Sequence, residues 1–559
     1  MRNNTFTPAL LASSLVLLFI LFIRTTRGLD LTDEMQYYGE IRGLIETGGL
    51  FSSDLFIQQS VYILLYPVFY FYHLIFGFDG LVFFGRMVMS ILSVGVFIYS
   101  YQKLVAQEFS KTVASLTALS LTFAIPYHGI FAPSYNTISQ ILWIVFALNF
   151  FEWKQRSALS FGILSVIMAF AHPTSAVMMA LLVFARLLTK REFVQMGKLA
   201  LVLLGGALIA LTIALYFASL QEYFASLNFS SGYGVGAAFF SNKIQPTTLV
   251  AIYTMFASCA LIWMRLNKIN LSIPMALILS MVIYLFWSEL VQWGYSPRVV
   301  YFLSLLTALA YSWALSSTPN GDTNIRIKIH WLVVLILMYA TTLGVTSGNG
   351  IGQATGAFMV GLPLLLGIAV TSSSHNAKSG ESSFIKVVCV LLVTVLFVVH
   401  WSRFSYREDD WWNTNELIGS VSEFRFINTS LERADFIHSM QQALGQATQG
   451  KRSLIISEYP ALYFALDTIP ETCMLYMHSV TSDKSEKTLL ECFEKKSPQI
   501  IIDISIDKGV PSEGSRMKQV MRNYYLSKRY DCDIGSMRFH SDGNYNPAQL
   551  KISVCKQAI

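Results

Sequence analysis

The sequence predicts a polytopic α-helical membrane protein with about thirteen transmembrane helices and an α/β domain at its carboxy-terminal end. Charged residues make up 13% of the 559 residues and hydrophobic residues 54%, whereas soluble globular domains contain about 25% charged residues. Of the charged residues, 35 lie in residues 1–401 and 39 in residues 402–559. We therefore expect a membrane domain over 1–401, with a first external loop at 24–80, and a water-soluble domain over 402–559. This composition excludes a soluble enzyme, a coiled coil, a disordered chain and a nucleic-acid binder.

The membrane domain contains apolar runs that can cross a bilayer, some of them shorter than the ~20 residues of an untilted span. The runs are 8–23, 81–104, 112–127, 136–151, 158–171, 174–188, 199–217, 249–264, 273–291, 299–315, 331–346, 355–370 and 387–401. Residues 8–23 are interpreted as a signal anchor, because no small-residue cleavage site follows them; a cleaved signal peptide is the alternative. Residues 60–78 are also apolar, but we place them along the outer surface, because crossing there would put Lys103 and Lys111 opposite Arg2.

Lysine and arginine in the loops set the orientation of the chain. With this topology fifteen of them lie on one face and five on the other. The positive-inside rule then places the amino terminus in the cytoplasm and the carboxy-terminal domain outside, in the periplasm of a bacterium. The motifs at Asn3, Asn228 and Asn428 match the N-glycosylation pattern, so that a eukaryotic lumenal membrane is the alternative to a bacterial inner membrane.

The carboxy-terminal domain alternates between helical and strand patterns. Helices are predicted at 430–447, 484–495 and 514–526, and strands at 453–457, 472–476, 500–504 and around Arg538 and Ile552. This order predicts an open α/β sheet of Rossmann-like type. No GxGxxG or other phosphate-binding loop occurs in the sequence, so no nucleotide site is expected.

Four of the six cysteines lie in the external domain, where an even number in an oxidising compartment favours two disulfides. Of the three pairings, Cys473 with Cys492 and Cys532 with Cys555 is favoured, because each bond closes a local loop. Four reduced, buried cysteines are the alternative.

Acidic residues concentrate in the first external loop. Residues 1–401 hold fourteen of them, and seven lie within residues 24–80. The densest group is Asp30, Asp33 and Glu34, at the start of a helical pattern. Asp30 or Thr32 could simply be the helix N-cap, with Asp33 and Glu34 in the first turn favoured by the helix dipole. Adjacent residues point about 100° apart, however, so Asp33 and Glu34 cannot both cap, and one carboxylate is left to face the bundle as a base or a cation ligand.

The order of features in the first part of the chain resembles the GT-C fold of polyprenyl-phosphate-dependent glycosyltransferases. A first span is followed by Asp33-Glu34-x-x-Tyr37, which opens a helix, then by an apolar surface helix, and then by Gly85-Arg86 at the beginning of the next span. The closest families in pattern are the bacterial aminoarabinose transferases and the protein O-mannosyltransferases. The resemblance in layout covers most of the chain, whereas its residue-level part is short.

The resemblance implies that a polyprenyl-phosphate sugar donor enters from the lipid and that an acceptor hydroxyl attacks it at an external site. Asp33 matches the family's acidic residue and would be the general base, with Glu34 as its neighbour and Asp30 as support. Attack at the anomeric carbon would invert that centre. The expected acceptor is a lipid-linked glycan or glycolipid, such as an O-antigen intermediate or lipopolysaccharide.

The departing phosphate needs a cation. Arg298 is the first candidate, because arginine matches phosphate in a bidentate fork, although it could equally reach towards lipid headgroups. Weaker candidates are Arg86, Lys243 and His172, the last of which precedes Pro173 and is more typical of a helix-breaking turn. His128 and Tyr135 would contact sugar hydroxyls or belong to an interfacial aromatic belt.

The second external loop, around His128 and Tyr135, contains no acid. Pyrophosphate-dependent relatives carry acids there that hold a metal, so a monophosphate donor and no required cofactor are expected here. Asp30, Asp33 and Glu34 would still attract a divalent cation weakly, and no His/Cys cluster has the spacing of a zinc site.

Two other functions stay open at this point. A non-enzymatic transporter or flippase of lipid-linked sugar would need ionisable residues through the span midplane, where this chain has few. An O-antigen polymerase or ligase would be expected to use basic residues and one dominant external loop. The acidic first loop of this chain argues against that function.

Overall fold

The computed structural model describes residues 7–126, 129–153, 158–231, 297–318, 322–346, 354–374, 381–403, 411–457, 459–475, 483–496, 498–506, 530–538 and 549–557. The described chain is mostly helical, and six of its helices are long and apolar enough to cross a membrane. We therefore treat the protein as an integral membrane protein of helical type.

The helices of the membrane domain are numbered here in chain order. They are α1 Pro8–Thr26, α2 Asp33–Thr47, α3 Tyr62–Phe76, α4 Leu81–Ala106, α5 Lys111–Phe123, α6 Tyr135–Glu152, α7 Ala158–Ala171, α8 Pro173–Thr189, α9 Phe193–Phe217, α10 Leu220–Ser231, α11 Pro297–Ser317, α12 Thr323–Thr346, α13 Thr355–Ser374 and α14 Glu381–Arg403. The predicted runs 249–264 and 273–291 lie outside the described residues, and each of the others coincides with one of these helices. The total of thirteen spans stays a prediction.

The apolar segment after α2 is a short 3-10 helix, Ile57–Val61, that continues into α3. Length and composition alone would allow Ile57–Phe76 to cross a membrane. Its placement along the outer surface therefore also stays a prediction.

Helix α13 lies at the centre of the bundle, where it packs against α5, α11, α12 and α14. Its most apolar stretch, Thr355–Ser372, is 94% buried inside the protein. Helix α13 can be buried on every side because it is apolar on every side.

The carboxy-terminal part of the chain contains α15 Leu431–Thr448, α16 Ala461–Ala465 and α17 Asp483–Phe493. Its strands are β1 Glu416–Leu417, β2 Asn428–Thr429, β3 Arg452–Ile456, β4 Ile469–Pro470, β5 Ile500–Ile506, β6 Tyr530–Arg538 and β7 Gln549–Gln557. Five of them form one sheet in the order β4-β3-β5-β7-β6. Strands β4, β3 and β5 pair in parallel, whereas β7 is antiparallel to both of its neighbours, β5 and β6. The sheet is therefore mixed, and only β4, β3 and β5 have the parallel pairing expected of a Rossmann-like sheet.

The strand predicted at 472–476 is wrong. Strand β4 ends at Pro470, and only Ile469 and Pro470 pair with β3. The Thr472 hydroxyl then donates to the Met474 carbonyl oxygen (2.9 Å) and accepts from the Met474 amide (3.2 Å). This local turn competes with a strand ladder for the backbone groups. The helix predicted at 514–526 lies outside the described residues.

Cys473 and Cys492 form a disulfide, which is the pairing that the sequence favoured. Cys555 is also disulfide-bonded, and in the β6–β7 register Cys532 is the residue directly opposite. The side chain of Cys532 lies outside the described residues, so the Cys532–Cys555 bond stays a prediction.

The carboxy-terminal part docks on the first loop through backbone hydrogen bonds. The amide of Gly28 donates to Asn428 (2.8 Å), that of Ala461 donates to Leu31 (3.2 Å), and that of Leu55 donates to Cys473 (3.1 Å). The loop that holds the predicted catalytic acids is therefore fixed from one side by the membrane helices and from the other by this domain.

Candidate active site

Helix α2 begins at Asp33, and its first turn is capped by Asp30. Asp30 Oδ1 accepts from the Thr32 amide (3.1 Å) and hydroxyl (2.6 Å), and Oδ2 accepts from the Glu34 amide (2.9 Å). In return the Asp30 amide donates to Glu34 Oε2 (3.3 Å). Thr32, at the N-cap itself, makes no side-chain capping bond among the described residues. Asp30 thus performs the capping role that the sequence left open between Asp30 and Thr32.

Glu34 and Arg86 form a buried ion pair that joins α2 to α4. Arg86 Nε and Nη2 donate to the two carboxylate oxygens of Glu34, at 2.7 and 2.6 Å. Arg86 Nη1 donates to the backbone oxygens of Arg24 (3.3 Å) and Arg27 (3.2 Å). This fork-to-fork geometry is typical of a strong, specific arginine–carboxylate pair. Glu34 therefore holds Arg86, and Arg86 in turn fixes the chain between α1 and α2.

The ion pair forms part of the wall of a small pocket where α1 ends and α2 begins. The pocket is lined by Arg24, Arg27, Asp30, Glu34, Arg86, Gly129, Ile130 and Phe131. Its charged groups are three arginines and two carboxylates, so the lining carries a formal charge of +1. The enclosed space is about 10 Å³, which is room for about one water molecule. The excess of one positive charge favours an anion such as a phosphate at the mouth of the pocket.

Each arginine of the pocket is oriented by the loops around it. Arg24 is buried and donates to the backbone oxygen of Gly129, in the loop between α5 and α6. Arg27 donates to the backbone oxygens of Trp411 (2.9 Å) and Thr414 (3.0 Å), and its guanidinium lies 5.8 Å from the Trp411 ring centroid. The pocket is thus lined by α1, α2, α4 and the loops that follow α1 and α5. The carboxy-terminal part does not line it but holds Arg27 in place.

Asp33 lies on a different face of α2 from Glu34. Positions 33, 37 and 40 fall within about 60° of one another on a helix, whereas Glu34 and Tyr38 lie on the side towards α4. Asp33 is half-buried, and Tyr37, one turn later, packs edge to face with Tyr135 at the start of α6, with ring centroids 6.3 Å apart. Asp33 and Tyr37 therefore lie along one face of α2, and Tyr135 of α6 packs against Tyr37.

A second acidic group, buried beneath this face, was not singled out from the sequence. Gln36 Nε2 donates to Glu40 Oε1 (3.0 Å) and to Asp54 Oδ2 (3.2 Å). Asp54 also accepts from the amides of Phe56 (3.2 Å) and Leu475 (3.2 Å). This pair links α2 and the first loop to the carboxy-terminal domain.

Burial controls the ionisation of these two carboxyls. It raises the pKa of Asp54 to about 7, against the opposing effect of its backbone hydrogen bonds. Burial, together with the neighbouring Asp54, raises the pKa of Glu40 well above its ordinary value. Two carboxyls in one dry site resist full ionisation, because the second negative charge would be neither solvated nor paired.

Of the weaker candidates, His172 caps α8. Its Nδ1 accepts from the Ser175 amide (3.2 Å), and Pro173 is the first residue of the helix. This is the helix-breaking turn that the sequence favoured for His172-Pro173. Arg298 is in the first turn of α11, but its side chain lies outside the described residues. His128 and Lys243 lie wholly outside them.

Sequence reasoning missed Arg24, Arg27, Glu40 and Asp54 as site residues. Arg24 and Arg27 were counted only as loop charges, because an arginine at the end of a span is usually an interfacial residue. For Glu40 the signal was its spacing of seven residues from Asp33, which places both on one helix face. Nothing in the sequence brings Asp54 to the same place, since it reaches the site through a loop.

Comparison with protein-family models, with curated proteins and with solved structures finds no match to this chain.

Proposed function

We propose that this protein is a membrane glycosyltransferase of GT-C type. It transfers one sugar from a polyprenyl-phosphate donor to a lipid-linked glycan or glycolipid acceptor, such as an O-antigen intermediate or lipopolysaccharide, at the outer face of the bacterial inner membrane. The observation that supports this proposal most is the pocket at the α1–α2 junction, whose lining carries a net positive charge, together with a half-buried aspartate, Asp33, in the first turn of α2. A polyprenyl-phosphate sugar presents the matching chemistry, namely an anionic phosphate next to an electrophilic anomeric carbon.

In the proposed reaction the acceptor hydroxyl attacks the anomeric carbon and gives its proton to the Asp33 carboxylate. A new carbon–oxygen bond forms to the acceptor, and the bond from the anomeric carbon to the phosphate oxygen breaks. The electron pair leaves with the polyprenyl phosphate, so no general acid is needed, and the anomeric centre inverts. General-base assistance of this kind contributes about 10²–10⁴ in rate.

The side chains around Asp33 divide the remaining tasks. Arg24 and Arg27 face the pocket and would stabilise the charge that develops on the phosphate. Arg86, whose donors already bind Glu34 and two backbone oxygens, is a positioning residue for that pocket. Tyr37 and Tyr135 would pack against the sugar or contact its hydroxyls.

The test is in vitro transfer by the purified full-length chain from a panel of polyprenyl-phosphate sugars, with and without a chelator. We expect product from one donor with the wild type and a loss of about 10²–10⁴ in rate with Asp33→Asn. The thermal unfolding midpoint of that variant should stay close to the wild-type value. Glu46→Gln, at the exposed end of the same helix, is the matched control and should retain activity.

The same experiment separates the enzyme from a carrier. Absence of product from every donor, together with donor-lipid movement across proteoliposomes that Asp33→Asn retains, would replace the transferase with a flippase. Sugar transfer that persists in the presence of the chelator would agree with a reaction that needs no divalent cation. Transfer that is lost in the chelator would assign a cation to the acids of the first loop.

A further inference from the structure

A second charged cluster lies at the other end of α6 from Tyr135. Helix α6 runs from Tyr135 to Glu152, a length of about 26 Å that approaches the thickness of a bilayer core. At its far end it meets the end of α8 and the first turns of α12. If the candidate active site is external, this cluster lies at the cytoplasmic side.

Arg186 is the central residue of the cluster. It is only 3% exposed, and its guanidinium carbon lies 4.5 Å from the Phe150 ring centroid and 4.4 Å from that of Trp153. Its Nη1 donates to the backbone oxygen of Phe150. Among the described residues no carboxylate lies within ion-pair distance of it.

Two buried donors in this cluster have no acceptor in the part of the chain that the structure describes. They are Nε of Arg186 and the indole Nε1 of Trp153. A buried polar group without a hydrogen-bond partner costs about 1–3 kcal/mol, and more if it is charged. Two such donors side by side, one of them cationic, are the arrangement that an anionic oxygen ligand would satisfy.

Two lysines extend the positive charge towards the solvent. Lys190 Nζ lies 5.7 Å from the Trp153 ring centroid, and Lys328 Nζ lies 5.6 Å from that of Phe151. Burial, and then the nearby Arg186 charge, lower the pKa of Lys190, which indicates that the cations repel one another.

The carboxylates nearby offset only part of this charge. Glu152 is bound by Lys103 at 2.6 Å. Glu192, at the start of α9, offsets part of the Arg186 and Lys190 charge without lying within ion-pair distance of either, and its buried Oε2 has no hydrogen-bond partner among the described residues. Four cations, Lys103, Arg186, Lys190 and Lys328, therefore stand against two carboxylates.

We infer that Arg186, Trp153, Lys190 and Lys328 form a binding site for the phosphate group of an anionic ligand, with an inner-leaflet phospholipid as the expected source. Basic pockets between helices at the cytoplasmic side suit anionic headgroups, and an amphipathic tryptophan suits the level of those headgroups. This site is separate from the candidate transferase site and does not depend on the proposed reaction.

The test measures the binding of phosphatidylglycerol to the full-length protein in uncharged detergent, by native mass spectrometry. Parallel arms use phosphatidylcholine and inorganic phosphate. The double variant Lys190→Gln and Lys328→Gln should bind phosphatidylglycerol at least ten-fold more weakly than the wild type. Trp153→Phe, which keeps a ring beneath Arg186 but removes the N–H, should bind several-fold more weakly. Lys198→Gln, an exposed position on α9, is the matched control.

Selective binding of phosphatidylglycerol that is lost in the double variant and kept in Lys198→Gln would support a lipid site. Full competition by inorganic phosphate, with the same dependence on the variants, would support the site with a free phosphate as its source. Equal binding by the wild type and the double variant, or an equal loss in Lys198→Gln, would overturn the proposal.

Discussion

At the scale of single residues, the acids of the first loop have different tasks although they are close in sequence. Asp30 caps helix α2, Glu34 binds Arg86, and Asp33 lies on a different face of α2 from Glu34. Helix geometry explains the division, because neighbouring residues diverge by about 100°. A carboxylate that holds a buried arginine should matter first for stability, whereas one that accepts a substrate proton should matter first for rate.

Replacing Glu34 with glutamine should therefore destabilise the protein. The change removes one partner of a buried pair and leaves the Arg86 charge uncompensated, which typically costs about 3–5 kcal/mol. The thermal unfolding midpoint of purified Glu34→Gln should be clearly lower than that of Glu46→Gln, because the Glu46–Arg42 ion pair is more exposed. A stable Glu34→Gln protein that has lost only transfer activity would instead identify Glu34 as a catalytic group.

The Glu40–Asp54 pair predicts a pH dependence of stability. The pKa of Asp54 is raised from an ordinary value of 3.8 to about 7 in the folded protein. The folded state thus binds a proton more tightly than the unfolded state, so the free energy of unfolding falls as pH rises between these two values. Each unit of difference between the folded-state and unfolded-state pKa corresponds to about 1.4 kcal/mol in the free energy of unfolding.

Asp54→Asn keeps the shape of the side chain and removes its titration. Its unfolding midpoint should decline less between pH 4 and 7 than that of the wild type, because one proton-linked contribution is gone. Parallel curves for the two proteins would show that Asp54 titrates normally in the folded state.

At the scale of elements, Gly85 sets how closely α4 approaches α2. A Cβ at position 85 would lie 2.4 Å from a ring carbon of Tyr38, whereas a Cβ at Gly95 of the same helix would meet nothing within 4 Å. Tyr38 is fully buried and its hydroxyl donates to the Val82 backbone oxygen at 3.2 Å, so it has little freedom to move away.

Gly85→Ala should therefore cost about 1–3 kcal/mol through overpacking. Gly95→Ala should instead be neutral or stabilising, by up to about 1 kcal/mol, since alanine is the better helix former. Thermal unfolding of the two variants in one detergent provides the comparison, and equal midpoints would mean that α2 and α4 can separate at little cost.

At the scale of the whole molecule, Arg42 links the first loop to the carboxy-terminal domain. It binds Glu46 on its own helix at 2.8 Å and Glu423 across the domain contact at 2.7 Å. The Glu423 side chain is 8% exposed and that of Glu46 is 31% exposed. Contacts of this kind join the first loop and the carboxy-terminal domain into one structural unit.

Glu423→Gln should consequently lower the unfolding midpoint more than Glu46→Gln does. An exposed pair one turn apart contributes about 0.3–0.5 kcal/mol, whereas the loss of a largely buried partner leaves Arg42 poorly solvated. Circular dichroism during heating would measure both, and a larger effect at Glu46 would show that the domain contact adds little.

The sequence by itself determined the elements of this protein. The apolar runs, the caps and the charge contrast between residues 1–401 and 402–559 predicted most of the helices and strands and the acidic start of α2, but not α10 or α16. These features are local, because helix formation and membrane burial depend on composition and spacing over about twenty residues.

The tertiary structure alone decided which charges meet. Arg86 reaches Glu34 across 52 positions, and Asp54 reaches the Leu475 amide across 421. No local pattern encodes such pairs, since they arise when the buried surfaces of separate elements pack and each buried charge or amide must find a partner. The strand pattern at 472–476 failed for two reasons. Thr472 forms a local turn with Met474 that competes with a strand ladder, and Cys473 is tied over long range to the first loop and to Cys492.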